Sequence, residues 1–276
     1  MHPLILPLLG GCAFGLGAQT VAVDGDATSR CEVTEETVTC EHDTVVFHAG
    51  LAARDVHVQH PVGEPPSEGW PVVLMFQGSF DVRGVWEGAE GDVFGGLHQA
   101  AVTAALLDAG FAVLAPEARY GGASYWDTNV LPWAHAWFAS ADHRLVLGLL
   151  RAIDAGDLGP LDPDRLYATG ISSGGYMTSR MAVAYPGRFR ALAIASASYA
   201  TCAGPLCAVP ALPDDHPPTL FLHGGADSIV PITTMEAYAD ALAADGVPTE
   251  RVTDPDEGHA WLAIAPDEVV EWFSAW

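Results

Sequence analysis

Five short, almost unbroken apolar runs restrict the fold more than anything else in the chain: residues 71–76, 111–116, 165–169, 191–197 and 219–223. A strand with one wet face alternates apolar and polar side chains, so strands without alternation are covered on both faces. Between the runs lie segments with helical spacing, at 97–109, 142–155, 173–185 and 233–244. Strand and helix taken in turn give an α/β architecture, a mostly parallel central sheet with helices on both faces. Upstream, 37–49 and 55–60 alternate Val, Thr, Phe and His with polar partners and are expected as two strands. The Pro-, Gly- and Glu-rich stretch 61–69 is a loop, 249–253 a further strand, and 266–276, opening on Pro-Asp-Glu, a closing helix. No internal repeat and no second domain is visible, so residues 31–276 are expected to form one domain.

The start of the chain bears on address. Residues 3–17 are apolar and give way to Gln19-Thr20 and an acidic, Thr-rich stretch, which predicts an export signal over 1–18 and a linker over 19–30. The n-region carries only His2. Leu9-Gly10-Gly11-Cys12 has the form of a bacterial lipobox, with Cys12 as the lipidated first residue; simple secretion with cleavage near Ala18 is the rival, and a buried N-terminal strand the plain alternative. The other four cysteines fall into two local pairs. An oxidising compartment favours the disulfides Cys31–Cys40 and Cys202–Cys207, and neither pair has the spacing of a metal site. The expected address is therefore extracytoplasmic.

Charge excludes several partners. Eleven bases, all Arg, stand against 35 acids for a formal charge of −24, whereas nucleic acid and anionic lipid both demand a basic face. No apolar run reaches the ~18–20 residues of a spanning helix, so membrane contact is expected only through an N-terminal lipid anchor.

The chemistry concentrates at Gly170-Ile171-Ser172-Ser173-Gly174, after a buried strand and before a helix. That context makes Ser172 a candidate nucleophile on a strained strand-to-helix turn. A hydroxyl needs a base and the base an orienting acid. Asp227 follows the strand 219–223, and His259 follows the strand 249–253, so both fall at the carboxyl ends of strands, where such sheets hold their sites. Asp254, Asp256 and Glu257 crowd His259; they read as a solvated loop, with a rival orienter among them as the alternative. The oxyanion of acyl transfer needs two N–H donors. One is expected from the Ser173 backbone, the other from Gln77-Gly78-Ser79-Phe80, through Ser79 or Phe80. Residues 120–137, holding Tyr125, Trp126, Trp133 and Trp137, suit either a substrate cleft or a packed cover over the sheet. The expected cleft residues are Phe80, Tyr125, Trp126 and Trp261, while Met177 and Met181 belong to the core. His57 and His60 point to opposite faces of a strand; His98, His135 and His143 lie in helical stretches without a second ligand, so structural or surface roles are expected. No metal or organic cofactor is required.

The segments Tyr167–Met177, Leu222–Asp227 and Gly258–Trp261 give residues ~70–276 a family resemblance. They resemble α/β-hydrolases of the poly(3-hydroxybutyrate) depolymerase and feruloyl-esterase type, with the chain order nucleophile, acid, base. The resemblance implies an α/β-hydrolase fold and a serine esterase in which Ser172, Asp227 and His259 are nucleophile, acid and base, acting on small or polymeric esters. Its oxyanion loop usually begins His-Gly; here it reads Gln77-Gly78-Ser79. The Ser172 and Asp227 segments, the latter followed by Val230-Pro231, are also similar to prolyl-oligopeptidase, which keeps a serine peptidase as one alternative. An inactive hydrolase fold serving as a surface binding module is the other.

Overall fold

The computed structural model describes residues 28–49, 52–202 and 207–276; the expected export signal, Cys12 and most of the 19–30 linker lie outside them. In chain order the elements are β1 (Cys31–Val33), β2 (Thr37–Cys40), β3 (Asp43–Ala49), β4 (Ala52–Gln59), β5 (Trp70–Phe76), β6 (Glu87–Ala89), α1 (Gly96–Asp108), β7 (Ala112–Pro116), α2 (Ala141–Ala155), β8 (Leu161–Ile171), α3 (Ser173–Ala184), β9 (Ala191–Ala195), β10 (Thr219–Gly224), α4 (Ile232–Ala244), β11 (Thr249–Asp254) and α5 (Ala265–Ala275).

Eight strands form the main sheet in the order β11-β10-β9-β8-β5-β7-β4-β3. From β7 to β11 the neighbours are parallel, and β3 and β4 add an antiparallel margin. Parallel neighbours need crossovers, which the helices supply. Strand β5 shows why the apolar runs lack alternation. Its Val72, Leu74 and Phe76 enter one core layer with Leu145, Leu149, Met177 and Met181 of α2 and α3. Val73 and Met75 enter the opposite layer with Val102, Leu106, Val269 and Phe273 of α1 and α5. Each such side chain, withdrawn from water, contributes ~1.5–3 kcal/mol. Helix α4 covers Ile194 and Phe221 through Met235, Tyr238 and Leu242. As expected, Met177 and Met181 are core.

Some elements differ from expectation. The span 37–49 is two strands in different sheets: β2 joins a small antiparallel sheet β1-β2-β6, and β3 joins the main one. The break falls at Glu41-His42, beside Cys40, whose disulfide to the directly opposed Cys31 ties β2 to β1. Cys202–Cys207 is the second disulfide. Strand β8 starts at Leu161, ahead of Pro163, because a bulge lets Trp70 pair with Leu161 before the regular register begins at Val72. His135 sits in a turn, not a helix. All parallel strands end at one rim, which carries the site.

Candidate active site

Three neighbouring strand ends build the rim. Ser172 follows β8, Ser196 follows β9, and residues 225–230 follow β10. Backbone bonds lace them together: Ser172 N–H donates to Ala195 O at 3.0 Å and Ser196 N–H to Leu222 O at 2.9 Å. Ser172 caps α3 at φ 55°, ψ −121°, a backbone region that L-residues avoid at a cost of ~1–3 kcal/mol. Its neighbours explain how the turn survives. A Cβ on Gly174 would lie 2.1 Å from Phe76 O and 2.3 Å from Gln77 O, so only glycine lets the first turn of α3 rest against the end of β5. That contact brings the 77–80 segment beside the nucleophile.

The Ser173 amide, at the first turn of α3, has no partner among the described residues, and neither does the Ser79 amide. Phe80 is different: its N–H donates to Ser124 O at 2.9 Å. Of the two oxyanion candidates in that loop, Phe80 is thus spent and Ser79 is left.

Asp227 lies beyond β10 and is buried. Its Oδ1 accepts from Ile229 N (2.9 Å) and Val230 N (2.8 Å), and its Oδ2 accepts from His259 Nδ1 at 2.7 Å. The carboxylate only accepts, so Nδ1 carries the proton and Nε2 is left as the basic nitrogen. Glycines again permit the approach: a Cβ on Gly224 would fall 2.1 Å from Gly258 O. Asp254, Asp256 and Glu257 are exposed, and the bonds of Asp254 and Glu257 go to backbone within their own loop rather than to the imidazole. Ala260, next to His259, is tied to the β9 end, its carbonyl accepting from Ser196 Oγ at 3.0 Å. The structure therefore joins Asp227 to His259, and the laced ends of β8, β9 and β10 set this pair and Ser172 on one rim. The Ser172 hydroxyl itself makes no hydrogen bond to His259 or to any other described residue; unliganded sites commonly close this bond only when substrate arrives. Tyr176, one turn past Ser172, has its phenol pushed up to about 12, first by burial and then by the Asp227 charge.

The cleft assignments divide. Phe80 and Tyr125 are exposed, with rings edge-to-face at 6.4 Å. Trp126 and Trp261 are each 0% exposed, which removes both from the cleft surface. Trp126 turns inward onto Phe76 and its Nε1 donates to Gln77 O at 3.1 Å. Trp261 enters the α1/α5 core layer, and its backbone rests against the 94–95 segment: its N–H donates to Phe94 O at 3.0 Å, and a Cβ on Gly95 would meet Trp261 O at 2.6 Å. Trp137 is also buried, under a cation–π contact from Arg180, so much of 120–137 is a packed cover with Tyr125 facing out. Ion pairs hold its base: Arg54–Asp142, buried on both sides, at 2.6 Å, and half-buried Arg119 to buried Asp127 at 2.7 Å. Burial, then the Asp142 charge, pushes the Asp127 carboxyl up to about 6.

Two side-chain roles at the site were not read from the sequence. Gln77, placed there only as the start of the oxyanion loop, is fully buried, with Nε2 donating to Gly122 O (2.7 Å) and Gly78 O (3.1 Å), and Oε1 accepting from Ala118 N (3.0 Å). A polar residue ending an all-apolar strand was the available signal. Phe94 stands edge-on to His259 at 5.6 Å from a left-handed backbone (φ 60°), and no sequence pattern marked it.

Solved structures with this arrangement are α/β-hydrolases. A thermostable esterase matches 85% of this chain and 62% of its own at a TM-score of 0.61 and 19% identity. Acylaminoacyl peptidase from Pyrococcus horikoshii matches 85% of this chain and 40% of its own, with a TM-score of 0.57 and 16% identity. At these identities the likeness is one of fold: a mostly parallel α/β-hydrolase, as the sequence resemblance implied. Sequence similarity reaches further, to the poly(3-hydroxyoctanoate) depolymerase of Pseudomonas fluorescens, 47% identical over 257 residues, 90% of this chain and 92% of that one. The profile of the dienelactone hydrolase family matches residues 58–272; the chain belongs to this family and is an ester hydrolase.

Proposed function

We propose that the protein is an exported serine esterase that cleaves carboxylic esters through an acyl-enzyme, with Ser172, His259 and Asp227 as its triad. The observation that carries this reading is Ser172 at φ 55° on the β8–α3 turn, with the Asp227–His259 pair at 2.7 Å beyond the ends of β10 and β11 on the same rim. His259 Nε2 takes the Ser172 proton as Oγ attacks the ester carbonyl, then gives it to the departing alkoxide. Asp227 holds the imidazole tautomer and offsets its charge. The Ser173 and Ser79 amides receive the oxyanion. Water then repeats the cycle, its proton passing to His259 while its oxygen takes the acyl group, and Ser172 is regenerated with release of the acid.

The rim favours an apolar acyl group. Phe80, Phe94, Tyr125 and Ile229 are all exposed around the triad, and a relative at 47% identity is a poly(3-hydroxyoctanoate) depolymerase. An extended, water-insoluble polyester of medium-length hydroxy acids fits an open apolar rim better than a small polar ester does. Two disulfides support an extracytoplasmic address, reached by secretion or by lipidation at Cys12. Among the described residues no helix is long and apolar enough to cross a membrane.

Ser172→Ala tests the proposal. It should abolish hydrolysis of short p-nitrophenyl esters and clearing of polyester film while leaving the melting curve in place. Retained hydrolysis refutes the triad, and faster turnover of prolyl or dipeptidyl amides than of esters by the unmodified enzyme refutes the esterase assignment.

A further inference from the structure

His223 is the penultimate residue of β10, four before Asp227, and is completely buried. Its Nε2 lies 2.9 Å from Val230 O and 3.3 Å from Asp227 Oδ2. Its Nδ1 is buried with no hydrogen-bond partner. A buried lone pair without a donor is costly, so what the other edge of the ring does has to offset it.

Both groups facing Nε2 are acceptors, so Nε2 carries the proton. That N–H donates to Val230 O, and Val230 N–H in turn donates to Asp227 Oδ1 at 2.8 Å. The turn from Gly224 to Val230 is thereby closed on the carboxylate: Asp227 N–H meets Gly224 O at 3.2 Å, Ile229 N–H meets Oδ1, and His223 locks the far end. The same N–H edge presents its positive dipole to Oδ2, the oxygen that receives His259 Nδ1. We propose that His223 is a positioning residue that acts through Asp227, fixing the carboxylate in the plane from which it can hold the His259 imidazole. The inference rests on the triad reading above. It requires a neutral ring, since a cation at Nε2 would compete with His259 for the one carboxylate. Burial holds the His223 pKa down, and the charged or titratable groups around it are Asp227, His259 and Glu236 of α4.

Three substitutions separate positioning from bulk. His223→Gln can put an amide N–H where Nε2 stands; His223→Asn reaches only as far as Nδ1; His223→Leu fills space with no donor. With p-nitrophenyl esters, the Leu and Asn variants should lose roughly 10–100-fold in kcat with KM little changed, the scale of a misplaced catalytic group. The far-downfield proton resonance of the His259–Asp227 hydrogen bond should weaken or move with them. Gln should recover most of kcat and the resonance. Folded Leu and Asn variants with native kcat overturn the inference, as does a folded Gln variant as impaired as Leu. A readout on the unmodified protein stands even if every variant misfolds: ring 15N shifts must show His223 protonated at Nε2 and bare at Nδ1, and the opposite tautomer overturns it. Asp227→Asn runs alongside. If it keeps full activity the triad reading falls; if it is inactive while the His223 variants behave as wild type, only the positioning role falls.

Discussion

Replacing Gln77 with Leu should cripple the enzyme with far less damage to substrate binding, and the structure sets the scale. The substitution keeps most of the side-chain volume but deletes three hydrogen bonds, to Gly122 O, Gly78 O and Ala118 N. The two bonds to Gly122 O and Ala118 N are worth ~1 kcal/mol net each, and an orphaned buried partner adds ~1–3 kcal/mol, so ~3–5 kcal/mol comes off the anchorage of residues 118–126. Besides the Arg119–Asp127 ion pair, the loop keeps Trp126 Nε1 to Gln77 O, Trp126 N to Ser173 Oγ, and Phe80 N to Ser124 O. Through the last of these, slack in the loop reaches the turn that presents the Ser79 amide. Loss of one oxyanion donor outright costs ~10²–10³-fold in kcat, so a displaced donor should cost ~10–100-fold. The assay is steady-state hydrolysis of a short p-nitrophenyl ester, with a melting curve run in parallel. Gln77→Glu supplies a sign. A buried carboxyl is driven toward its protonated form, which can donate to Gly122 O, so its activity relative to wild type should rise as pH falls. A Gln77→Leu enzyme that melts earlier yet keeps native kcat would show that the amide serves the fold alone and would refute the coupling to the oxyanion turn.

What the chain disclosed in advance follows from which forces are local. Strand β5 was legible because both of its faces are buried, so Trp70–Phe76 has no alternation to blur it. Gly170, Ser172 and Gly174 were legible because a strained turn admits few residue types. Asp227 and His259 were legible as residue types at strand ends; their 2.7 Å bond depends on Gly224 lying against Gly258, which no local pattern reveals. Strands β1 and β6, three residues each, are too short for a period of two to register. The orientation of Trp126 and Trp261 was not legible either, since a Trp in a polar loop reads the same whether it faces water or core. The Gln77 carbonyl draws in the first, and the second joins the α1/α5 core layer. His223 looked like the tail of an apolar strand until its Nε2 was seen against Val230 and Asp227.

Two further outcomes concern stability. Removing the Cys31–Cys40 disulfide by a double Ala substitution should cost ~2–3 kcal/mol by the loop-entropy argument for a short loop, read from urea unfolding, and free thiols at Cys31, Cys40, Cys202 and Cys207 by mass spectrometry of the native protein would contradict both bridges. His216 should make the protein acid-sensitive. It is buried, its Nδ1–H donating to Pro217 O (2.8 Å) and its Nε2 accepting from the Tyr238 hydroxyl (2.6 Å). Burial pushes its pKa down from 6.5 to about 4, so between those values the unfolded chain binds a proton that the folded one refuses. Stability conferred by the neutral ring is complete above pH 6.5 and is lost as pH falls toward 4, by ~3 kcal/mol in all at 1.36 kcal/mol per pH unit. His216→Gln can still accept from Tyr238 but has nothing to titrate, so its urea midpoint should fall less steeply over that range. Equal slopes for the two proteins would mean that the imidazole takes its proton without leaving the fold, through water or a rearranged Tyr238, and that burial does not hold it neutral.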